Sequence, residues 1–309
     1  MKDKILVTSY CNPDLDGTAC MVAYSELLKK QGKNAVCGYF GNLHEETIYV
    51  LREFNIPKPP KGDKLIEECG KIILVDASNP IVLDSKIDPK KVVEIIDHRK
   101  KHRVENFPNA KGQIELVGAA ATLITEKYIE SKVPIDRESA ILLYGAIVSN
   151  TLNFKSNTMT ERDGKAADWL RQFIDIPDSF ARDMFLAKSN FGGKNIKEIL
   201  IQDRKTVGKD AKVRFSIFQL EVVDLEKIIE NNKKEILDFL KEEKDRQQLD
   251  YTFLTGIDLE KGFNIFAAVD EETKDLLEKS LEIKFIDNIA KREGLLMRKE
   301  IIPIIEEHM

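Results

Sequence analysis

Three observations predict an α/β protein with an N-terminal open, mainly parallel sheet flanked by helices, and a smaller C-terminal α/β domain on a mixed sheet. Two apolar runs, Lys71-Ile72-Ile73-Leu74-Val75 and Val92-Val93-Glu94-Ile95-Ile96, lack the alternation of a half-exposed strand and suit a sheet buried on both faces. A third run, Ile5-Leu6-Val7, leads through a turn into a helical stripe at Ala19, Val22, Ala23, Leu27 and Leu28. All three runs end in acidic residues. Open α/β sheets bind ligands just beyond the carboxyl ends of their strands.

In chain order, the first strand stops at Asn12-Pro13, because the residue before proline is pushed out of helical geometry and proline donates no hydrogen bond. Asp14 and Asp16 follow in the turn, where both carboxylates can face one point and hold a hard cation. The same residues also suit the commoner tasks of turn former and helix N-cap. A helix is expected over 18–30, a strand over 34–39 and a short helix over 45–54, and the proline-rich cluster 56–63 closes that unit. The runs at 71–75 and 92–96 end in Asp76 and in Asp97-His98-Arg99. Helices rich in small residues follow at 119–131 and 137–151, and Thr160 with Asp163 has the spacing of a capping box.

Residues 188–195, with Gly192-Gly193 and polar flanks, break this pattern and predict an interdomain linker. The expected division is a metal-carrying domain at 1–188, a linker at 189–195 and a substrate-binding domain at 196–309. Beyond the linker, 213–220 alternates as a half-exposed strand does, and 225–240 is an amphipathic helix. A strand pair is expected at 251–257 and 263–269, a short helix at 273–281 and a final strand at 294–302.

At 309 residues the chain is long enough for two cores, and no stretch approaches the roughly 20 apolar residues of a membrane helix. Met1–Ile5 runs straight into a strand without an apolar leader, so a soluble, cytoplasmic protein is expected. Its four cysteines show no zinc spacing and are expected to be reduced and mostly buried. A net charge of −5, with no basic groove studded by aromatics, argues against nucleic acid as a partner.

Asp14, Asp16, Asp76, Asp97 and His98 therefore collect at strand ends. Carboxylates with one imidazole suit Mn²⁺ or Mg²⁺, with Co²⁺ a further candidate, better than zinc or copper. Two such cations about 3.5–4 Å apart would share a carboxylate and activate a water for attack on a phosphoryl group. Arg99, Lys100 and Lys101, with Arg298 and Lys299 from the second domain, are the cations available to a phosphate. For Arg298 and Lys299 an ordinary solvated strand end is the alternative.

Asn-Pro-Asp-X-Asp, Leu-Val-Asp, Asp-His-Arg and a terminal Arg-Lys, in this order, resemble the DHH phosphoesterases, and most of all the family II inorganic pyrophosphatases. The stretch 145–156, Gly41-Asn42 with Glu46-Thr47, and Val117-Gly118 with Ala121-Thr122 are similar to other segments of that family. The resemblance covers nearly the whole chain. It implies a homodimer that hydrolyses pyrophosphate to two phosphates. Asp14 would bind a first metal, Asp16 and His98 a second, and Asp76 would bridge them. Asp97 would orient His98, and Asn150 would stand where the family has an aspartate ligand. Lys205, Arg298 and Lys299 would grip the substrate phosphates as the second domain closes.

The chain departs from the family at the site itself. Tyr10 replaces the first metal's histidine, Asn150 replaces an aspartate, and Arg99 replaces a histidine able to donate a proton. Ala77-Ser78-Asn79, Met297 and Glu300 differ as well, and an Asp-His-Arg order resembles the prune branch, relatives of the exopolyphosphatases. The ligands that remain suffice for one ion and are marginal for two. Two readings result: a hydrolase of pyrophosphate, short polyphosphate or nucleotides, or a catalytically weakened relative that binds phosphate ligands.

Overall fold

A computed structural model describes residues 3–100, 102–190, 193, 195–208 and 213–309, without the side chain of Gln202. Lys101, and Phe191, Gly192 and Lys194 of the expected linker, lie outside the described residues. The chain divides into two compact units, residues 1–188 and 189–309.

In the first unit, β1 (Ile5–Thr8), α1 (Leu15–Lys30), β2 (Ala35–Cys37), α2 (Glu45–Glu53), α3 (Gly62–Glu68), β3 (Lys71–Val75), β4 (Val92–Asp97) and β5 (Lys111–Ile114) are followed by four helices. These are α4 (Ala120–Ser131), α5 (Arg137–Asn150), α6 (Glu161–Leu170) and α7 (Phe180–Lys188). The strands pair in the order β2-β1-β3-β4-β5, all parallel. The chain winds outward from β1 through β2, then returns to β3 on the other side. The switch point therefore lies between β1 and β3, where such sheets leave a crevice.

The apolar runs sit where their lack of alternation placed them. Leu6, Ile72, Leu74 and Ile95 are buried with Phe40 and Phe107 on one face of the sheet. On α1, Leu15, Ala19, Ala23 and Leu27 are buried, and this helix packs against α4 and α5. Small residues on α5 permit close approach: a Cβ at Gly145 would come 3.2 Å from Leu15 Cδ2. Three elements of this unit were not foreseen, α7 among them. α3 begins inside the proline-rich cluster, and β5 (Lys-Gly-Gln-Ile) is a polar edge strand whose side chains carry no periodic signal.

The second unit contains α8 (Ile196–Gln202), β6 (Arg204–Val207), β7 (Phe215–Val222), α9 (Leu225–Gln247), β8 (Tyr251–Asp258), β9 (Phe263–Ala268), α10 (Glu271–Leu281), β10 (Ile289–Glu293) and α11 (Arg298–Glu306). Its sheet runs β10-β9-β8-β7-β6, parallel between β7 and β8 and antiparallel elsewhere, hence mixed. Two expectations are corrected. β7 is buried on both faces, because apolar clusters cover the sheet on each side: Phe218 and Leu220 face α9, while Phe215 and Ile217 face α10 and α11. The final strand expected over 294–302 is instead the helix α11. Gly294, at φ +78°, ends β10, and Met297 N donates to Glu300 Oε2 at 2.9 Å as the helix starts. Ile301, Ile302 and Ile305 then supply a helical apolar stripe.

Candidate metal centre

The acidic turns after β1, β3 and β4 converge at the switch point. Asp16 lies in the first turn of α1 and is wholly buried. Its carboxylate accepts from Ala120 N and Ala121 N, both at 2.8 Å, and from Asn150 Nδ2 at 2.7 Å. The positive end of α4 thus receives an anion, as helix N-termini do. Asp76 follows β3, is also wholly buried, and adopts φ +51°, a left-handed conformation that Asp tolerates better than most residues. Neither of its carboxylate oxygens accepts a hydrogen bond. Its contacts are ionic: Oδ1 lies 3.5 Å from His98 Nε2 and 2.9 Å from Arg99 Nη1.

Among the described residues, Asp16, Asp76 and His98 form the one group of His, Cys, Asp or Glu that brings three ligand atoms within 4.8 Å of one another. His98 Nε2 faces Asp16 Oδ2 at 3.8 Å, and its Nδ1 lies 3.0 Å from the Val117 carbonyl. That carbonyl fixes the ring with Nε2 toward the carboxylates. Two buried carboxylates and an imidazole, one carboxylate without a hydrogen bond, are a donor set suited to a hard divalent cation.

Other expected site residues are placed differently. Asp97 does not orient the His98 ring. It accepts from His98 N at 2.7 Å, from Ser78 Oγ and from Arg99 Nη1 at 3.1 Å, because its position at the end of β4 turns it toward the β3 loop. Arg99 does not project toward a substrate. It folds back onto Asp76 and Asp97, donating to the Asp76 carbonyl as well, with Cζ 5.4 Å from the centre of the Tyr10 ring. Asn150 presents its amide donor to Asp16, which a carboxylate favours, and so acts as a neutral partner of Asp16 where a ligand was expected. Asp14 stands outside the three-residue group. It is the N-cap of α1, accepting from Gly17 N at 2.9 Å, so the commoner reading describes its geometry.

The turn before Asp14 is held by Asn12 at φ +61°, whose Oδ1 accepts from Asn42 N at 2.8 Å. Gly41 is required there: at φ +74°, an added Cβ would lie 2.4 Å from that oxygen. In the second unit, Lys205 on β6 and Lys299 on α11 are exposed. Arg298 instead pairs with Asp203, Nη2 to Oδ1 at 2.7 Å and Nη1 to the carbonyl at 2.6 Å.

Comparison with known proteins decides the family. The profile of the DHH family N-terminal domain matches residues 4–147, and that of the DHHA2 domain matches residues 182–308. A Clostridium acetobutylicum protein named as a probable manganese-dependent inorganic pyrophosphatase is 31% identical over 308 residues, covering 98% of this chain and 97% of its own. The chain belongs to the DHH family, among the manganese-dependent inorganic pyrophosphatases and their relatives. A Bacillus licheniformis protein with the same name is also 31% identical, with 98% of each chain covered. A Methanococcus jannaschii structure described as a family II inorganic pyrophosphatase superposes with a TM-score of 0.73 at 27% identity, over 98% of this chain and 99% of its own. An exopolyphosphatase-related protein of Bacteroides fragilis shares the fold, with a TM-score of 0.50 at 16% identity over 99% and 91%.

One supporting residue of this DHH chain was foreseen only as part of a capping box. Asp163, fully buried on α6, does accept from Thr160 N at 2.7 Å. It also accepts from Gly118 N at 2.9 Å, Ala119 N at 3.3 Å and Thr122 Oγ1 at 2.6 Å. It thereby fixes the loop whose next two N–H groups hold Asp16. The only signal in the sequence was an acidic residue at the third helical position, which names the cap and not the long-range partners. Asp163→Ala is expected to orphan several buried donors and to cost about 3–5 kcal/mol, since one unsatisfied buried group costs about 1–3 kcal/mol. Urea unfolding measures this, and a change under about 1 kcal/mol contradicts it.

Proposed function

We propose that this chain is a Mn²⁺-dependent phosphohydrolase whose leading substrate is inorganic pyrophosphate, cleaved to two phosphates. The observation that carries the proposal is the convergence of Asp16, Asp76 and His98 at the switch point of a DHH sheet. Names of the relatives supply manganese and pyrophosphate. Asp16, Asp76 and His98 would hold the cation, with Asp14 beside them and Asn150 pairing with Asp16. When bound, the cation supplies a Lewis acid for a phosphoryl oxygen.

The chain's own residues do the rest. The N–H groups of Ala120 and Ala121 fix Asp16, and the Val117 carbonyl sets His98 in the orientation a ligand needs. Arg99 neutralises charge and has no proton to give to a departing phosphate. Lys205, Arg298 and Lys299 are proposed to bind phosphate oxygens, Arg298 by exchanging its bidentate hold on Asp203 for the substrate. A cytoplasmic location and a homodimer belong to this proposal through the family resemblance. Short polyphosphates or nucleotides are the alternative substrates, favoured by Arg99 and Tyr10 at the positions where this chain departs from its family.

Phosphate release tests the proposal. With Mn²⁺ and pyrophosphate the chain is expected to release phosphate, and in EDTA to release none. Asn150→Asp is expected to release it faster, since it sets a second carboxylate beside Asp16, where the cation would be held. Silence of both proteins on pyrophosphate, tripolyphosphate and nucleoside triphosphates would make the chain a ligand-binding relative.

A further inference from the structure

Arg99 is bound as a cation rather than displayed as a phosphate ligand. Its Nη1 alone meets Asp76 Oδ1 at 2.9 Å, Asp97 Oδ1 at 3.1 Å and the Asp76 carbonyl oxygen. The Tyr10 ring stands 5.4 Å from its Cζ, within the range of a cation–π contact. Tyr10 is itself anchored, its hydroxyl accepting from Asp14 N at 3.1 Å. Two buried carboxylates, one carbonyl and one aromatic face thus make a seat that a guanidinium fills.

This seat shares an oxygen with the three-residue group. Asp76 Oδ1 has His98 Nε2 at 3.5 Å on one side and Arg99 Nη1 on the other. A divalent ion held by Asp16, Asp76 and His98 would take the first position. A second ion bound to Asp76 on the Arg99 side would sit about 2–2.5 Å from a carboxylate oxygen, inside the guanidinium's own contact distance. It would also face Tyr10, a neutral phenol. Charge gives the same answer: Asp14, Asp16, Asp76 and Asp97 carry four negative charges, and one divalent ion with Arg99 already supplies three positive ones.

We propose that the Arg99 guanidinium occupies the place of a second cation, so that this centre takes one divalent ion per chain, completed by a permanent charge from the protein. The inference rests on the metal-centre reading above and deepens it. Tyr10 and Arg99 then form a matched pair: one removes a ligand and lines the seat, the other fills it. A fixed guanidinium brings the charge of a cation without its open coordination positions, so it can stabilise a phosphoryl group and cannot position a water.

The experiment is a count of bound Mn²⁺ by equilibrium dialysis and elemental analysis, with electron paramagnetic resonance to separate isolated from spin-coupled ions. Wild type is expected to bind one ion with the signal of isolated Mn²⁺. Tyr10→His, which restores a ligand but keeps the guanidinium, is expected to remain at one. Tyr10→His/Arg99→His is expected to bind two, spin-coupled. Two ions in wild type or in Tyr10→His would overturn the inference and leave the hydrolase proposal standing. No bound ion in wild type would overturn the metal centre itself, and the phosphate-release assay decides the hydrolase proposal independently. A double variant that stays at one ion while retaining the wild-type circular dichroism spectrum would also overturn the role of Arg99.

Discussion

Asp76→Asn is expected to lose Mn²⁺ affinity by at least about 100-fold and phosphate release by at least about 1,000-fold, while the metal-free protein keeps most of its stability. The geometry separates these effects. Asp76 is wholly buried, and its carboxylate meets only His98 and Arg99, so asparagine keeps the side-chain volume and removes the charge. Asparagine also tolerates the left-handed backbone at φ +51°, where alanine would add about 1–2 kcal/mol of strain. Arg99 keeps Asp97 as a partner at 3.1 Å. Loss of a residue beyond the direct ligands of a metal costs about 10–100-fold in affinity, and loss of a direct carboxylate should exceed that. Mn²⁺ titration, phosphate release and urea unfolding of the same preparation check all three parts. An Asp76→Asn protein with wild-type Mn²⁺ affinity would remove Asp76 from the centre.

The sequence revealed most about residues whose role is periodic or terminal. Buried parallel strands announce themselves by unbroken apolar runs, and their acidic ends point to Asp14, Asp16, Asp76, Asp97 and His98, of which the fold groups Asp16, Asp76 and His98. Local polarity hid what depends on partners far along the chain. Asn150 and Asp16 are 134 residues apart, so the sequence alone could not show that an amide nitrogen, and not an oxygen, would meet the carboxylate. Arg99 beside His98 suggested a phosphate ligand, whereas its reach back across the β3 turn depends on the carbonyl and carboxylate that Asp76 presents. The helix at 298–306 reads as a strand from sequence because Leu295, Leu296 and Met297 carry apolar content from Gly294 up to it and mask the helical spacing of Ile301, Ile302 and Ile305.

The metal-free protein is expected to lose stability as pH rises from about 4 to about 9, and Mn²⁺ to reverse the trend. Burial, reinforced by the Asp76 carboxylate, lifts the Asp16 carboxyl from 3.8 to about 7. Burial alone would lower His98, but Asp76 and Asp16 overcome it and lift the imidazole to about 9. The sign is the same for both groups. Between about pH 4 and 7 the unfolded chain has released the Asp16 proton and the folded one has not, so raising the pH favours unfolding. His98 adds stability that is complete below about 6.5 and disappears as pH passes 9. For Asp16 alone the loss by pH 7 is about 4 kcal/mol, or on the order of 10 °C in melting temperature for a unit of this size. On the proposed metal centre, a divalent ion would take the place of these protons, so its affinity is expected to climb over the same interval. Thermal melts at pH 5, 7 and 9, in EDTA and in Mn²⁺, test both halves. The EDTA curves should fall with pH and the gap to the Mn²⁺ curves should widen, because the buried charge that weakens the empty fold is the charge that binds the ion. A melting temperature in EDTA that stays level or rises across this range would mean that Asp16 and His98 do not share their protons in a buried acidic cluster.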